Sequence, residues 1–334
     1  MNHRQIGISP RERLYAAMNC LDVDRPPVSL WRHFPEDDQT AEGLATATLR
    51  WQELFGFDFI KFMPPGDYPT IDWGATSRYE GSSGGTRTTT AFPIMRIEDW
   101  KRLKPVDIEQ GFNNVMLDAV QLTRSRLDPD VPLLQTIFGP LTIALKLSNG
   151  QAIEHLRSYP ELLNEALATI SQVTQAMLQR SIERGADGVF FATQCADASL
   201  MTGQEYRDLA LPFDLEVLSK LPGDALLMIH LHGAKPLLNL HDAFPPGMLN
   251  WHDRRFGPPL HEIQSRSGRS VAGGIDELSI VTDDADSVAA SAVDAIEQNA
   301  GRSVVVTPGC VIPITTPEQS VASAVDAVKT WSRP

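Results

Sequence analysis

Short apolar runs alternate with stretches of helical spacing along almost the whole chain, and this constrains the fold more than any single motif. Eight runs have strand character: Pro27–Trp31, Phe57–Met63, Pro132–Phe138, Gly188–Ala192, Ala225–His230, Met248–Trp251, Ser270–Gly274 and Ser303–Thr307. Between them, apolar residues recur at steps of three or four. The clearest case is Pro160 to Gly185, where Leu162, Leu163, Ala166, Ile170, Val173, Met177 and Ile182 share a face and Gly185 supplies a stop. Asp283 to Gln298 and Thr316 to Trp331 have the same pattern, with Thr316 as expected N-cap and Pro317 in the first turn. Strands that alternate with helices imply βα units and a parallel sheet. Eight such units predict an α/β fold of the (β/α)₈ TIM-barrel type, one domain spanning residues 1–334. An open doubly wound sheet would put a glycine-rich phosphate turn after its first strand, and Trp31-Arg32-His33-Phe34-Pro35 is unlike one. Tyr68 to Pro93 breaks the rhythm. Its Gly74, Gly81, Gly84, Gly85 and Thr86–Thr90 run predicts a β-hairpin inserted after the second strand.

Composition narrows the function classes. A net charge of -13 argues against nucleic-acid and anionic-membrane partners. Cys20, Cys195 and Cys310 stand in unrelated contexts, so no disulfide framework is expected and a reducing compartment fits. Met1–Gln5 has no apolar leader core and no run reaches membrane-spanning length, which predicts a cytoplasmic protein. An acidic single-domain barrel of this kind is often a homodimer, and that state is expected here.

In a (β/α)₈ barrel the active site is built at the C-terminal ends of the strands. The expected rim carries Arg32 and His33 after strand one, then Pro64, Gly66 and Asp67, then Gly139, then Thr193, Gln194, Cys195 and Asp197. It continues with His230 and His232, His252, Asp253 and Arg254, Gly274 and Asp276, and finally Cys310. His230 and His232 lie at i and i+2, so a strand points both to one side. With Cys310 they make a possible three-ligand Zn²⁺ site with one open position. The competing reading of each is plain: a lone strand-end histidine is a hydrogen-bonded rim residue, and Cys310 or Cys195 an inert buried thiol. Arg32, His33, Gln194, Arg254 and Asp276 are candidate groups for a small-molecule substrate, arginine being suited to carboxylates. His252 and Asp253, with Asp67, are candidate proton carriers; the bland reading of His252–Arg254 is a salt-bridged loop.

From Arg11-Glu12-Arg13 onward the chain resembles the uroporphyrinogen decarboxylase superfamily. That group includes zinc-dependent methylcobamide:thiol methyltransferases and is similar in fold to cobalamin-independent methionine synthase. The resemblance rests on Phe138-Gly139-Pro140-Leu141-Thr142, Gly185-Ala186-Asp187-Gly188, Tyr206 to Pro212, His230-Leu231-His232-Gly233, and Thr307-Pro308-Gly309-Cys310 followed by Thr316-Pro317-Glu318-Gln319. The decarboxylase branch carries an Arg-Gln-Ala-Gly-Arg stretch after strand one, and here only Arg32 remains of it. The methyltransferase branch carries His-x-Cys on strand five and Gly-Cys after strand eight; this chain keeps His230 and Cys310 but has His232 in place of the first cysteine. The resemblance therefore implies a zinc-dependent enzyme moving a methyl group to a thiol or similar nucleophile. No Asp-x-His-x-x-Gly cobalamin signature occurs in the chain, so a corrinoid donor would sit on a separate protein. Two imidazoles and one thiolate leave the metal site with net positive charge, a stronger Lewis acid than a two-thiolate site. The second reading is a metal-independent decarboxylase or lyase, with Arg32 and Arg254 on substrate carboxylates and Asp67, His252 or Asp253 handling the proton. A third is a non-catalytic binding protein on the same scaffold.

Overall fold

The computed structural model describes residues 8–333; the Met1–Gln5 segment read above lies outside them. Seven strands form one parallel sheet: β1 (Ile60–Phe62), β4 (Leu133–Phe138), β5 (Gly188–Thr193), β6 (Leu226–Leu231), β7 (Met248–Asn250), β8 (Val271–Ile275) and β9 (Val304–Pro308). They lie in the order β1-β4-β5-β6-β7-β8-β9, so consecutive strands of the sheet are neighbours throughout. Every residue in these seven strands is buried. A parallel sheet covered on both faces explains why its strands read as continuous apolar runs rather than as alternation. The helices Pro160–Glu183 and Ala285–Gln298 pack on the sheet, and Glu318–Thr330 packs against Ala285–Gln298 and Ala41–Phe55. Gly188 is required at the start of β5, because a Cβ there would lie 2.0 Å from the Leu226 carbonyl oxygen.

Two expectations are corrected. Pro27–Trp31 is not a strand of this sheet; it contributes a single parallel bridge, Val28 to Val306. Pro26 and Pro27 have no N–H to give a ladder, and the Val28 N–H is drawn to the buried Asp58 carboxylate at 2.8 Å. What survives is local: Ser29 N–H to Val306 O at 3.1 Å, Val306 N–H to Pro27 O at 2.8 Å, and Asp58 N–H to Val28 O at 2.9 Å. The second correction concerns the last helix, which starts at Glu318 with the extended Pro317 as its cap residue. The Thr316 hydroxyl makes no hydrogen bond. Gly185, at φ +103°, stops Pro160–Glu183 as read, and the structure adds Asp284 as the cap of Ala285–Gln298 through the Ser287 N–H.

Within Tyr68–Pro93 the chain makes a short helix, Tyr68–Ile71, and then an antiparallel pair, β2 (Thr76–Tyr79) and β3 (Arg87–Ala91). The pair is tied down by Arg87, which donates to Asp38 at 3.0 Å and to the Pro35 carbonyl at 2.8 Å. Among the described residues, no helix is long and apolar enough to cross a membrane.

Candidate functional site

The ends of β6, β7 and β9, the last two separated by β8, bring four metal-ligating side chains together. His230 lies in β6, His232 one residue beyond it, His252 two residues past β7 and Cys310 two past β9. One ligand atom from each lies within 4.8 Å of all the others. His232 Nδ1 is at the centre, 3.3 Å from His230 Nε2, 3.1 Å from His252 Nε2 and 3.8 Å from Cys310 Sγ.

The outer partners fix the tautomers. Asn250, opposite His230 in the β6–β7 register, donates its amide to the Ala272 and Pro308 carbonyls at 3.0 and 3.2 Å. Its carbonyl oxygen therefore faces His230 Nδ1, 2.6 Å away, and that nitrogen carries the proton. His252 Nδ1 donates in the same way to buried Glu277 at 2.6 Å. Both Nε2 atoms then present lone pairs to His232 Nδ1, which has one hydrogen to offer at most. Such convergence of lone pairs is what a cation satisfies, and histidines held from behind by an amide oxygen and a carboxylate are the usual outer shell of a metal site. Burial disfavours the charged form of two of them: His230 falls well below its ordinary range, helped by His232 and His252, and His232 is lowered to about 4. Burial pushes the Cys310 thiol up to about 11, with Lys61 pulling against it. The residues present fit a zinc-type N/S donor set.

Beside the cluster lies a cavity of about 330 Å³. Its lining includes His230, His232, Cys310, Gln194, His33, Trp31 and Phe190, with Gly84 and Thr86 from the β2–β3 connection. Two lysines also face it. Lys61 is buried on β1, its Nζ 2.9 Å from Met63 Sδ, 4.1 Å above the Phe190 ring and 5.1 Å from that of Trp31. Burial lowers it to about 7, opposed by Cys310. Lys146, on the helix Pro140–Leu147, lies 5.0 Å over Phe138 and is also lowered by burial, with Asp67 and Cys195 opposing. His33 is buried with Nδ1 unbonded, and burial followed by the two lysines lowers it to about 3.

The family model for uroporphyrinogen decarboxylase matches residues 9–331. The chain belongs to the uroporphyrinogen decarboxylase family. A methylcobamide:CoM methyltransferase of Methanosarcina acetivorans is 21% identical over 239 residues, covering 67% of this chain and 70% of the relative. A uroporphyrinogen decarboxylase of Coxiella burnetii is 26% identical over 257 residues, covering 72% and 69%. Overall identity thus does not choose between the two kinds of relative. A solved structure of a methyltransferase from Methanosarcina mazei has the same fold, with a TM-score of 0.85 at 21% identity over 96% of this chain and 98% of that one.

Several rim residues expected at the site of this family member are engaged elsewhere. The Arg32 guanidinium lies 4.4 Å over the Trp51 ring and donates to the Ile314 carbonyl at 2.9 Å, outside the cavity lining. Arg254 donates to the Gly274 and Ser291 carbonyls at 2.9 Å each and pairs with Asp294 at 2.6 Å. Asp253 is buried, accepts the Gly274 N–H at 3.1 Å and is raised by burial to about 7, against the pull of that hydrogen bond. Asp276 caps Leu278 and Ser279 and pairs with Arg255 at 3.1 Å. Asp67 does not line the cavity and accepts the Thr70 hydroxyl through its backbone carbonyl at 2.7 Å, but one oxygen of its carboxylate is buried and unbonded and its charge acts on Lys146. Buried Cys195 lies 3.7 Å from the Thr142 hydroxyl and is raised to about 12 by burial, an inert thiol. His252, expected as a proton carrier, also stands within reach of the ligand set. Lys61, Lys146, Asn250 and Glu277 were absent from the expected site. A lysine inside the apolar run Phe57–Met63 is the one sequence signal among them.

Proposed function

We propose that the chain is a zinc-dependent methyltransferase of this family that places a methyl group on a thiol sulfur or similar nucleophile. The observation that carries the reading is the convergence of three imidazoles and one thiol within 4.8 Å, backed by Asn250 and Glu277. His230, His232 and Cys310 would hold the metal. Bound zinc supplies Lewis acidity, which lowers the pKa of a thiol at the open position. The remaining work falls to the protein. His252 is the base: Glu277 holds its Nδ1–H, leaving Nε2 free to take the proton of the entering thiol. Asn250 keeps His230 in the ligating tautomer, and Phe190, 5.3 Å from the His230 ring, gives the cluster an apolar wall. The relatives' name specifies a methylcobamide as donor, and we assign that donor class here, carried on a separate corrinoid protein.

Against the decarboxylase reading stands the position of Arg32 and Arg254, neither of which lines the cavity beside the cluster. We read the sheet and Pro27–Trp31 together as a (β/α)₈ barrel, a single domain over 1–334, with β2–β3 as its inserted hairpin. The deciding experiment is elemental analysis of native protein beside Cys310→Ser and His230→Ala, with thiol methylation from methylcobalamin as the assay. About one zinc per chain, lost with activity in both variants, is the expected result. Metal far below one per chain, with His230→Ala fully active, ends the proposal.

A further inference from the structure

Two motifs that the proposed chemistry leaves unused, Phe138–Thr142 and Tyr206–Pro212, converge on one peptide bond, Thr193–Gln194. Thr193 is the last residue of β5, and its carbonyl accepts the His232 N–H at 3.0 Å, which extends the β5–β6 ladder past the end of β6. The N–H of the same peptide, on Gln194, donates to the Thr142 hydroxyl at 2.9 Å. The Thr193 side chain is held by Tyr206, whose hydroxyl lies 2.7 Å from Thr193 Oγ1 and also bonds Asp214 Oδ2. Tyr206 comes from the short helix Gly203–Leu209 and Asp214 from Leu211–Leu218. Thr193, Tyr206 and Asp214 are buried, and none of them lines the cavity. Asp214 Oδ1 is pressed against the end of β4, since a Cβ on Gly139 would stand 2.6 Å from it. Burial raises the Asp214 carboxyl to about 7, opposed by the Tyr206 hydrogen bond. With Asp214 ionised, Tyr206 donates to it and accepts from Thr193; with Asp214 protonated the direction reverses and both contacts persist. Leucine and phenylalanine would fill the same space without burying a carboxyl and a phenol.

We infer that Thr193, Tyr206 and Asp214 are positioning residues for His232. They hold the Thr193–Gln194 peptide from the side away from the cavity, and its carbonyl sets where the His232 backbone stands. The need is specific to this ligand. His230 and His252 present Nε2 to the cluster, whereas His232 presents Nδ1. Nδ1 lies nearer to Cβ along the ring than Nε2 does, so a ligating Nδ1 follows its backbone closely and side-chain rotation cannot make up for a displaced strand end. A site that must be held to about 0.5 Å therefore needs this peptide fixed. A planar peptide gripped at its carbonyl, its N–H and the adjoining side chain has no soft torsion left to turn it. This rests on the zinc reading above.

Zinc affinity, read by competition with a chelator, and the visible spectrum of the cobalt-substituted protein test it. Tyr206→Phe, Asp214→Leu and Thr193→Val should each weaken zinc binding about tenfold and shift the cobalt bands. Thr193→Val keeps the side-chain shape, which separates the hydroxyl from its packing. Asp214→Asn should stay near wild type in both measures, because its amide oxygen still accepts the Tyr206 hydroxyl. In the weaker site left by His232→Ala, Tyr206→Phe should cause no further loss of zinc. Variants that lower the urea midpoint of the metal-free protein but leave zinc affinity and cobalt bands unmoved overturn the inference, and so does a tenfold loss that persists in His232→Ala. Hydrogen exchange of the metal-free protein gives a second measure. The segment carrying the His232 amide should exchange about tenfold faster in Tyr206→Phe, while the β8 segment keeps its protection. The two readings fail differently. If the wild type takes up no zinc yet Tyr206→Phe speeds exchange at His232, the positioning stands and the zinc reading falls. If the wild type binds zinc and Tyr206→Phe changes neither affinity nor exchange, the zinc reading stands and the positioning falls.

Discussion

His252 and Glu277 separate two roles that look alike in geometry. If His252 is the base rather than a permanent ligand, Glu277→Gln should retain zinc and lower the methylation rate by about 100-fold. Loss of zinc in that variant would make His252 a ligand instead. Asn250 acts on the other side, and Asn250→Ala should weaken zinc binding by roughly 10- to 100-fold, read by competition with a chelator. His33 gives a prediction about acid stability. Its pKa is about 3 in the fold against 6.5 ordinarily, so below 6.5 the unfolded chain binds a proton that the folded one refuses. Stability is therefore lost as pH falls through that window, by about 1.4 kcal/mol per unit at its steepest. His33→Gln should show a smaller drop in urea midpoint between pH 7 and pH 5 than wild type; an equal drop removes His33 from the account. At this scale the His230/His232 pair was legible because i, i+2 at a strand end fixes direction. Lys146 was not, because a lysine on a helix reads as solvated until the fold turns it toward a cavity.

The seven sheet strands were legible as elements because burial on both faces leaves an unbroken apolar run with a sharp end. Pro27–Trp31 has the same composition and fails for a backbone reason, two prolines and a diverted Val28 N–H, that hydrophobic pattern does not weigh. The connection between β2 and β3 was legible from its glycines, though not its job as part of the cavity wall. Gly85 shows why the sequence needs glycine there. Its φ is +71°, and a Cβ would stand 2.7 Å from His33 Cβ and 2.8 Å from Ile314 Cγ2. Gly85→Ala should cost about 1–3 kcal/mol from strain and overpacking, measured by urea unfolding. Because the displaced neighbour is His33, the same variant should weaken binding of a cavity ligand. Unchanged stability and binding would mean that this connection moves freely over the site.

Over the whole molecule, charge and connectivity meet at the cluster. The chain carries -13 overall, yet the acidic side chains lie outside a cavity whose lining is cationic or neutral. The lining of the site therefore differs in composition from the acidic surface of the chain, a contrast that net charge alone hides. The ligand atoms also come from sequence positions as far apart as His230 and Cys310, on strand ends spread from β6 to β9. A metal held there fastens the C-terminal half of the sheet at its rim and binds only the folded chain. By linkage, zinc at a hundred times its dissociation constant should add about 2.7 kcal/mol of stability, a rise in melting temperature on the order of 5 °C. Removing it with a chelator should reverse the shift, and re-adding zinc should restore it. His230→Ala should melt at one temperature with or without zinc. A shift of equal size in that variant would place the stabilising metal elsewhere, and the cluster would then be a hydrogen-bonded histidine network rather than a centre.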